Sequence, residues 1–139
     1  MIDVVIVGGG AAGLSAALVL GRSRRQTLVI DAGSPRNAPS PAAHSFFTRD
    51  GTPPAELLRV ARAQLEPYCS VELRSGRAVS AVSVEGGFSL RMEDGAEVTA
   101  RRVLLAVGVR DHLPQIPGVA ELWGRGVLHC PYCHGWEIR

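Results

Sequence analysis

The stretch VVIVGGGAAG, residues 4–13, constrains the fold more than any other part of the chain. An apolar run runs straight into glycines, and Gly8, Gly10 and Gly13 fit G-x-G-x-x-G. Such a match carries weight when it follows a strand, opens a helix and is answered by an acid at the end of the next strand. The pattern meets all three conditions. Residues 2–7 read as a buried parallel strand. Residues 11–21 read as a small-residue helix expected to be buried on most sides, and residues 27–30 as a second strand closing on Asp31. Gly8 permits the tight turn, Gly10 lets backbone approach a pyrophosphate, and Gly13 lets helix and strand pack closely. Ala11 and Ala12 open the helix, where free N–H groups and the positive dipole end face the phosphates. Asp31, followed by Ala32, is placed to accept hydrogen bonds from ribose hydroxyls and to repel a 2′-phosphate. The motif alone does not separate NAD from FAD.

With 139 residues, the chain is about one domain long. A net charge of +2 argues against nucleic acid or a membrane surface as partner. With no leader pattern and no bilayer-length apolar run, a cytoplasmic setting is expected. Arg22, Arg24 and Arg25 follow the first helix and read as solvated groups at its C-terminal end. Residues 33–51 read as a long loop. A helix is expected next, with Thr52 as N-cap, Pro53 at its first position, apolar residues Leu57, Leu58, Ala61 and Leu65, and a stop at Pro67. Cys69 reads as a small core residue, and residues 71–73 as a third strand. A β-meander is expected over 78–84, 88–92 and 97–100, turned by Gly86-Gly87 and Asp94-Gly95. A separate buried strand is expected over 103–107, and residues from Arg110 onward look irregular. The fold class is therefore α/β, a parallel sheet with helices plus a meander.

The other chemistry-bearing segment is HCPYCHGWE, residues 129–137. A C-x-x-C pair brings two sulfurs within bridging distance and lets one thiolate be stabilised by its surroundings. Three other patterns overlap it. Cys-Pro-Tyr-Cys is a glutaredoxin tetrapeptide, but that fold needs a βαβ core after the pair and only six residues follow Cys133. C-x-x-C-H is a haem-attachment signature, which needs an export context. Zinc needs four ligands, and Cys130, Cys133 and the adjacent His129 or His134 do not readily complete a tetrahedron, so no metal is expected. A dinucleotide loop and a dithiol in one chain favour electron traffic between a cofactor and a disulfide.

In the order and spacing of its blocks, the chain resembles the low-molecular-weight thioredoxin reductase family. The blocks are the loop from Gly8 to Gly13, Asp31, TRDGTPPAEL (48–57), LLAVG (104–108) and GRGVLHCPYCHG (124–135). The resemblance implies a Rossmann-like FAD-binding domain over residues 1–110. A connecting segment, 111–139, would carry the cysteine pair, with the chain stopping before an NAD(P)-binding domain. It implies FAD at the first glycine loop with Asp31 on the adenosine ribose. Arg36 and Asn37 would lie near pyrophosphate and flavin, the Val79 backbone near adenine, and Ala106, Val107 and Gly108 close to the cofactor. His44, in the long loop, is a candidate for contact with flavin or substrate. Cys133 would be the flavin-side sulfur, Cys130 the interchange sulfur, and His134 the acid/base residue, where the family usually has Asp. Histidine there can protonate a leaving thiolate near neutral pH. With Trp136-Glu137 it resembles the dithiol-oxidase subgroup. Two positions depart from the family: Asp31 stands for the usual Glu, and Val107 for the usual Thr.

The implied activity is a FAD-dependent thiol–disulfide oxidoreductase acting on a thioredoxin-like protein or a small-molecule disulfide or dithiol, as a homodimer. NADPH would drive a reductase and oxygen would drain a dithiol oxidase. A non-catalytic FAD-binding or dimerisation module is the alternative.

Overall fold

Strand β1 (Ile2–Val7) is flanked in parallel by β2 (Thr27–Asp31) and by β6 (Glu97–Leu105). The computed structural model describes residues 1–138, and all six strands belong to one of its two compact units, Met1–Gly33 with Val60–Gly108. Strand order is β3-β2-β1-β6-β5-β4, adding β3 (Val71–Ser75), β4 (Ala78–Val84) and β5 (Gly87–Met92). β3, β2, β1 and β6 run parallel, and β5 and β4 continue the sheet antiparallel.

Side chains alternate across the pleat. Val5, Leu28 and Ile30 join Leu90, Met92, Val98 and Ala100 in one buried cluster, with Ile2, Val7, Ala78 and Val103 packed against it. Ile6 and Val29, one residue out of step, are also fully buried. Each such aliphatic side chain contributes about 1.5–3 kcal/mol on burial.

Helix α1 (Ala11–Arg22) packs on β1, β2 and β3, but it is not buried on most sides as its composition suggested. Only the stripe Gly13, Leu14, Ala17 and Gly21 is buried, and Val19 is 64% exposed. The small residues serve close approach: a Cβ on Gly21 would sit 2.8 Å from Val71 Cγ2.

Several expected boundaries move. The strands expected at 97–100 and 103–107 are one strand, β6, that changes partner. Its first half pairs antiparallel with β5 and its second half parallel with β1, Ala100 serving both. The Arg101-Arg102 pair looks like a break only because both side chains are in solvent. Nor is the end of this stretch buried, since Leu105 is 70% and Val107 67% exposed. The β4–β5 turn is Glu85-Gly86, and Gly87 belongs to β5, where a Cβ would overlap the Ala100 carbonyl. The Asp94-Gly95 turn is as expected, with Asp94 Oδ1 accepting from Ala96 N–H. Helix α2 (Pro54–Ala63) starts one residue later than expected: the Pro53 carbonyl accepts from Glu56 and Leu57 N–H, while Thr52 bridges Ala43. Cys69 is exposed rather than in the core, the inward positions being taken by Leu65 and, in part, Tyr68.

The second unit comprises Ser34–Arg59 and the residues from Val109 onward. Its regular elements include α3 (Val119–Leu122) and α4 (Pro131–His134). Among the described residues no helix is long and apolar enough to cross a membrane.

Candidate functional site

In the first unit the glycine loop is built as the spacing requires. Gly8 takes φ +112°, and its N–H donates to the Ile30 carbonyl. A Cβ on Gly13 would overlap the Gly8 carbonyl oxygen, and one on Gly8 would overlap the Ala106 carbonyl. Ala106, expected near the cofactor, is thus the wall behind the turn, held by its N–H to the Val7 carbonyl. Gly10 caps α1 with extended backbone. It supplies no side-chain hydrogen bond, and the first helical turn carries no acid. A Cβ on Gly10 would meet nothing within 4 Å. An uncapped helix N-terminus opening on clear space fits the diphosphate of a dinucleotide.

Asp31 lies against this loop, but its carboxylate is not free. Oδ1 accepts from Gly33 N–H at 3.1 Å and Oδ2 from Arg62 at 2.6 Å. Each oxygen keeps a second lone pair for a ribose hydroxyl. The charge that should repel a 2′-phosphate is, however, partly offset by the guanidinium. Gly9, an unspecified position of the motif, has its own reason to be glycine: a Cβ there would come within 2.6 Å of Asp31 Cγ. Val79 is the residue skipped where β4 and β5 slip register between Ala78 and Ser80, so it lies outside the ladder pairing. Val107 and Gly108 follow β6 and are exposed, as is Ala32 after β2.

Five expected residues of the second unit line one cleft of about 220 Å³: Arg36, Asn37, His44, Cys133 and His134. They come from segments nearly a hundred positions apart. Asp111, also in the wall, fixes Arg36 through two hydrogen bonds of 2.8 and 2.6 Å. Those bonds hold the Asp111 carboxyl below its usual value, against the opposing effect of desolvation. His44 meets His134 edge to face, ring centres 5.9 Å apart. Its Nε2 lies 3.4 Å from Glu137 Oε1 and its Nδ1 3.6 Å from Asp50 Oδ1. The Nε2 of His134 lies 2.7 Å from Ser40 Oγ.

Cys130 and Cys133 are both free thiols, half-buried, at the start and within α4. They differ in acidity. Cys130 is held below the usual thiol range first by a hydrogen bond from the Cys133 thiol, then by the N–H groups of Cys133 and Tyr132 and the charge of Arg36; desolvation opposes these. Cys133 is pushed up by the same sulfur–sulfur hydrogen bond, by desolvation and by the charge of Cys130, with Arg36 opposing. One sulfur is thus the better nucleophile and the other the better proton donor. Among the described residues no group of three or more His, Cys, Asp or Glu is arranged to hold a metal ion.

Sequence reasoning missed Arg62, Asp111 and Ser40, and it singled out Glu137 only as part of a subgroup pattern, not as a partner of His44. Of these four, Arg62 lies on a polar helix face, and the other three sit in irregular segments with no periodic signal.

A strand–glycine loop–helix unit and a C-x-x-C dithiol in one chain are the combination found in dinucleotide-dependent disulfide oxidoreductases. Residues 2–138 match the family described as pyridine nucleotide-disulphide oxidoreductase, and the chain belongs to that family. It is 39% identical over 142 residues to thioredoxin reductase tcpT of Claviceps purpurea, a match covering 100% of this chain and 44% of that protein. It is 38% identical over 143 residues to a probable thioredoxin reductase of Arthroderma benhamiae, covering 99% and 35% respectively. The crystal structure of an oxidoreductase from Agrobacterium tumefaciens is 46% identical, with a TM-score of 0.95, over 99% of this chain and 46% of that one. The chain therefore spans less than half the length of these relatives, and its Rossmann-like fold with the antiparallel extension is shared with the Agrobacterium structure.

Proposed function

We propose that this chain binds FAD and acts as a thioredoxin-reductase-like thiol–disulfide oxidoreductase. The observation that carries this is the dithiol itself, two free sulfurs at the N-cap of α4 and within it, with opposite shifts in acidity. Bound FAD would supply two-electron chemistry to that pair. The N–H groups at Gly10, Ala11 and Ala12 would hold its diphosphate, Asp31 its ribose, and the Val79 backbone its adenine. Ala106, Val107 and Gly108 would pass beside the cofactor, Arg36 and Asn37 would lie near pyrophosphate and flavin, and His44 would contact flavin or substrate.

Cys130 is the interchange sulfur. Its thiolate attacks a substrate disulfide, forming a mixed disulfide and expelling one substrate thiolate. Cys133 then gives up its proton and attacks Cys130, closing the Cys130–Cys133 disulfide and releasing the second thiolate. Two electrons have passed to the substrate, and His134 carries the proton between sulfurs and leaving groups. The relatives named thioredoxin reductases support this direction; the proposed partner is a thioredoxin-like protein or small-molecule disulfide, and the proposed reductant is NADPH. The histidine following Cys133 favours a second reading, the reverse direction, in which a small dithiol is oxidised and oxygen takes the electrons.

The test is spectroscopic. The chain is loaded with FAD, freed of oxygen and given a dithiol. Bleaching of the visible flavin band is expected in the native chain and absent in Cys133→Ser that still holds FAD. Bound flavin that never responds, or bleaches equally in the variant, would leave a passive flavin-binding module.

A further inference from the structure

His134 Nδ1 is buried and has no hydrogen-bond partner, the one such side-chain atom among the described residues. The other ring nitrogen is tightly engaged, and its partner decides the protonation pattern. Ser40 Oγ lies 2.7 Å from His134 Nε2 and 2.7 Å from the Ala42 carbonyl oxygen. A carbonyl oxygen cannot donate, so the proton between Ser40 and Ala42 is the hydroxyl's own, and Ser40 has only one. The hydroxyl must then accept from His134, so Nε2 carries a hydrogen. In the neutral imidazole that leaves Nδ1 as the nitrogen with the lone pair.

We propose that Ser40 is a positioning residue, which fixes His134 as the Nε2–H tautomer and makes Nδ1 the atom that takes up and returns the proton of thiol–disulfide exchange. In the resting chain Nδ1 meets no partner, so the step begins when exchange brings a thiol to it: the S–H bond breaks, the electron pair stays on sulfur, and an N–H bond forms at Nδ1. The reverse delivers the proton to a departing thiolate. The Ala42 carbonyl is part of the device because it occupies the serine proton. Without it, the hydroxyl could donate to Nε2 and reverse the ring. The groups around His134 are His44, edge-on to its ring and itself beside Glu137 and Asp50, and Cys133, Arg36 and Asp111 in the same cleft wall. None of them replaces Ser40 at Nε2.

The role of Nδ1 rests on the redox function proposed above, but the tautomer does not, and nitrogen-15 NMR of the 139-residue chain reads it without flavin or substrate. The chain has four histidines, and His134→Gln identifies the signals to follow. The native ring is expected to show a pyridine-like Nδ1, a pyrrole-like Nε2 and a slowly exchanging Nε2–H proton. Ser40→Ala is expected to lose that protected proton and average the two nitrogens. Ser40→Thr, which keeps a hydroxyl, is expected to restore the native pattern. A pyridine-like Nε2 in the native chain, or a Ser40→Ala spectrum like the native one, would overturn the proposal. If Ser40→Ala does not fold, the native spectrum and Ser40→Thr still decide it. A chain with the expected tautomer whose bound flavin ignores dithiol would sink the redox function and leave Ser40's effect on the ring standing.

Discussion

Gly13→Ala is expected to cost the chain a large share of its stability, while Gly10→Ala is expected to leave it folded but to block the proposed dinucleotide binding. The two positions differ by three residues in one loop and differ wholly in surroundings. At Gly13 the new methyl would overlap the Gly8 carbonyl oxygen and come within 3.3 Å of Ile6 Cγ2. The first is turn backbone and the second a fully buried β1 side chain, so neither yields easily, and α1 must lift from the sheet. Overpacking of this kind costs about 1–3 kcal/mol or more. Partial exposure of Leu14 and Ala17 adds to that, against a total of roughly 5–15 kcal/mol for a domain. At Gly10 the methyl meets nothing within 4 Å and φ is −81°, which alanine adopts freely. Its effect on stability is expected to be below about 1 kcal/mol, but it stands where a diphosphate must approach. Thermal melts by circular dichroism and FAD titration should separate the variants. Similar melts for both, or undiminished FAD affinity in Gly10→Ala, would contradict this.

Cys130 is expected to alkylate at lower pH than Cys133, and Cys133→Ala is expected to move the Cys130 midpoint upward. The sign follows from the sulfur–sulfur hydrogen bond, the largest influence on both groups. A thiol donating to a thiolate stabilises that thiolate, so the acceptor ionises early and the donor late. Replacing Cys133 by alanine removes the donor. The Cys133 and Tyr132 N–H groups and Arg36 remain, so the midpoint rises without reaching that of an ordinary thiol. Iodoacetamide labelling across a pH series, read by peptide mass spectrometry, gives both midpoints. A higher midpoint for Cys130 than for Cys133, or no change in Cys133→Ala, would reverse the roles given to the two sulfurs.

Local signals in the sequence were reliable where one segment decides the geometry. The first glycine loop, the strand that ends at Asp31 and the Asp94-Gly95 turn are set by residues a few positions apart. What the sequence hid is non-local. β6 looks like two strands because its partner changes at Ala100 rather than its own backbone. Arg62 reaches Asp31 from a helix 31 positions away, so the acid read as a bare ribose acceptor carries a cation. Ser40 and His134 are 94 positions apart, and a serine in a polar loop gives no sign that it will touch a histidine. His44 shows the same limit: the sequence offered it as a contact for flavin or substrate, but nothing near it in the chain signals Glu137 and His134 as its neighbours. The exposed side of α1 was hidden differently. Alanine and glycine suit both a tight sheet contact and open solvent, so composition could not say how much of the helix is covered.

Titration calorimetry of FAD into the purified chain, followed by gel filtration, tests the central claim most directly. Saturable heat with one FAD per chain, and a yellow protein peak, is the expected result. A colourless peak and no heat of association at saturating FAD would show that the cradle at Gly10 does not hold the cofactor, and the electron path assigned to Cys130 and Cys133 would lose its source.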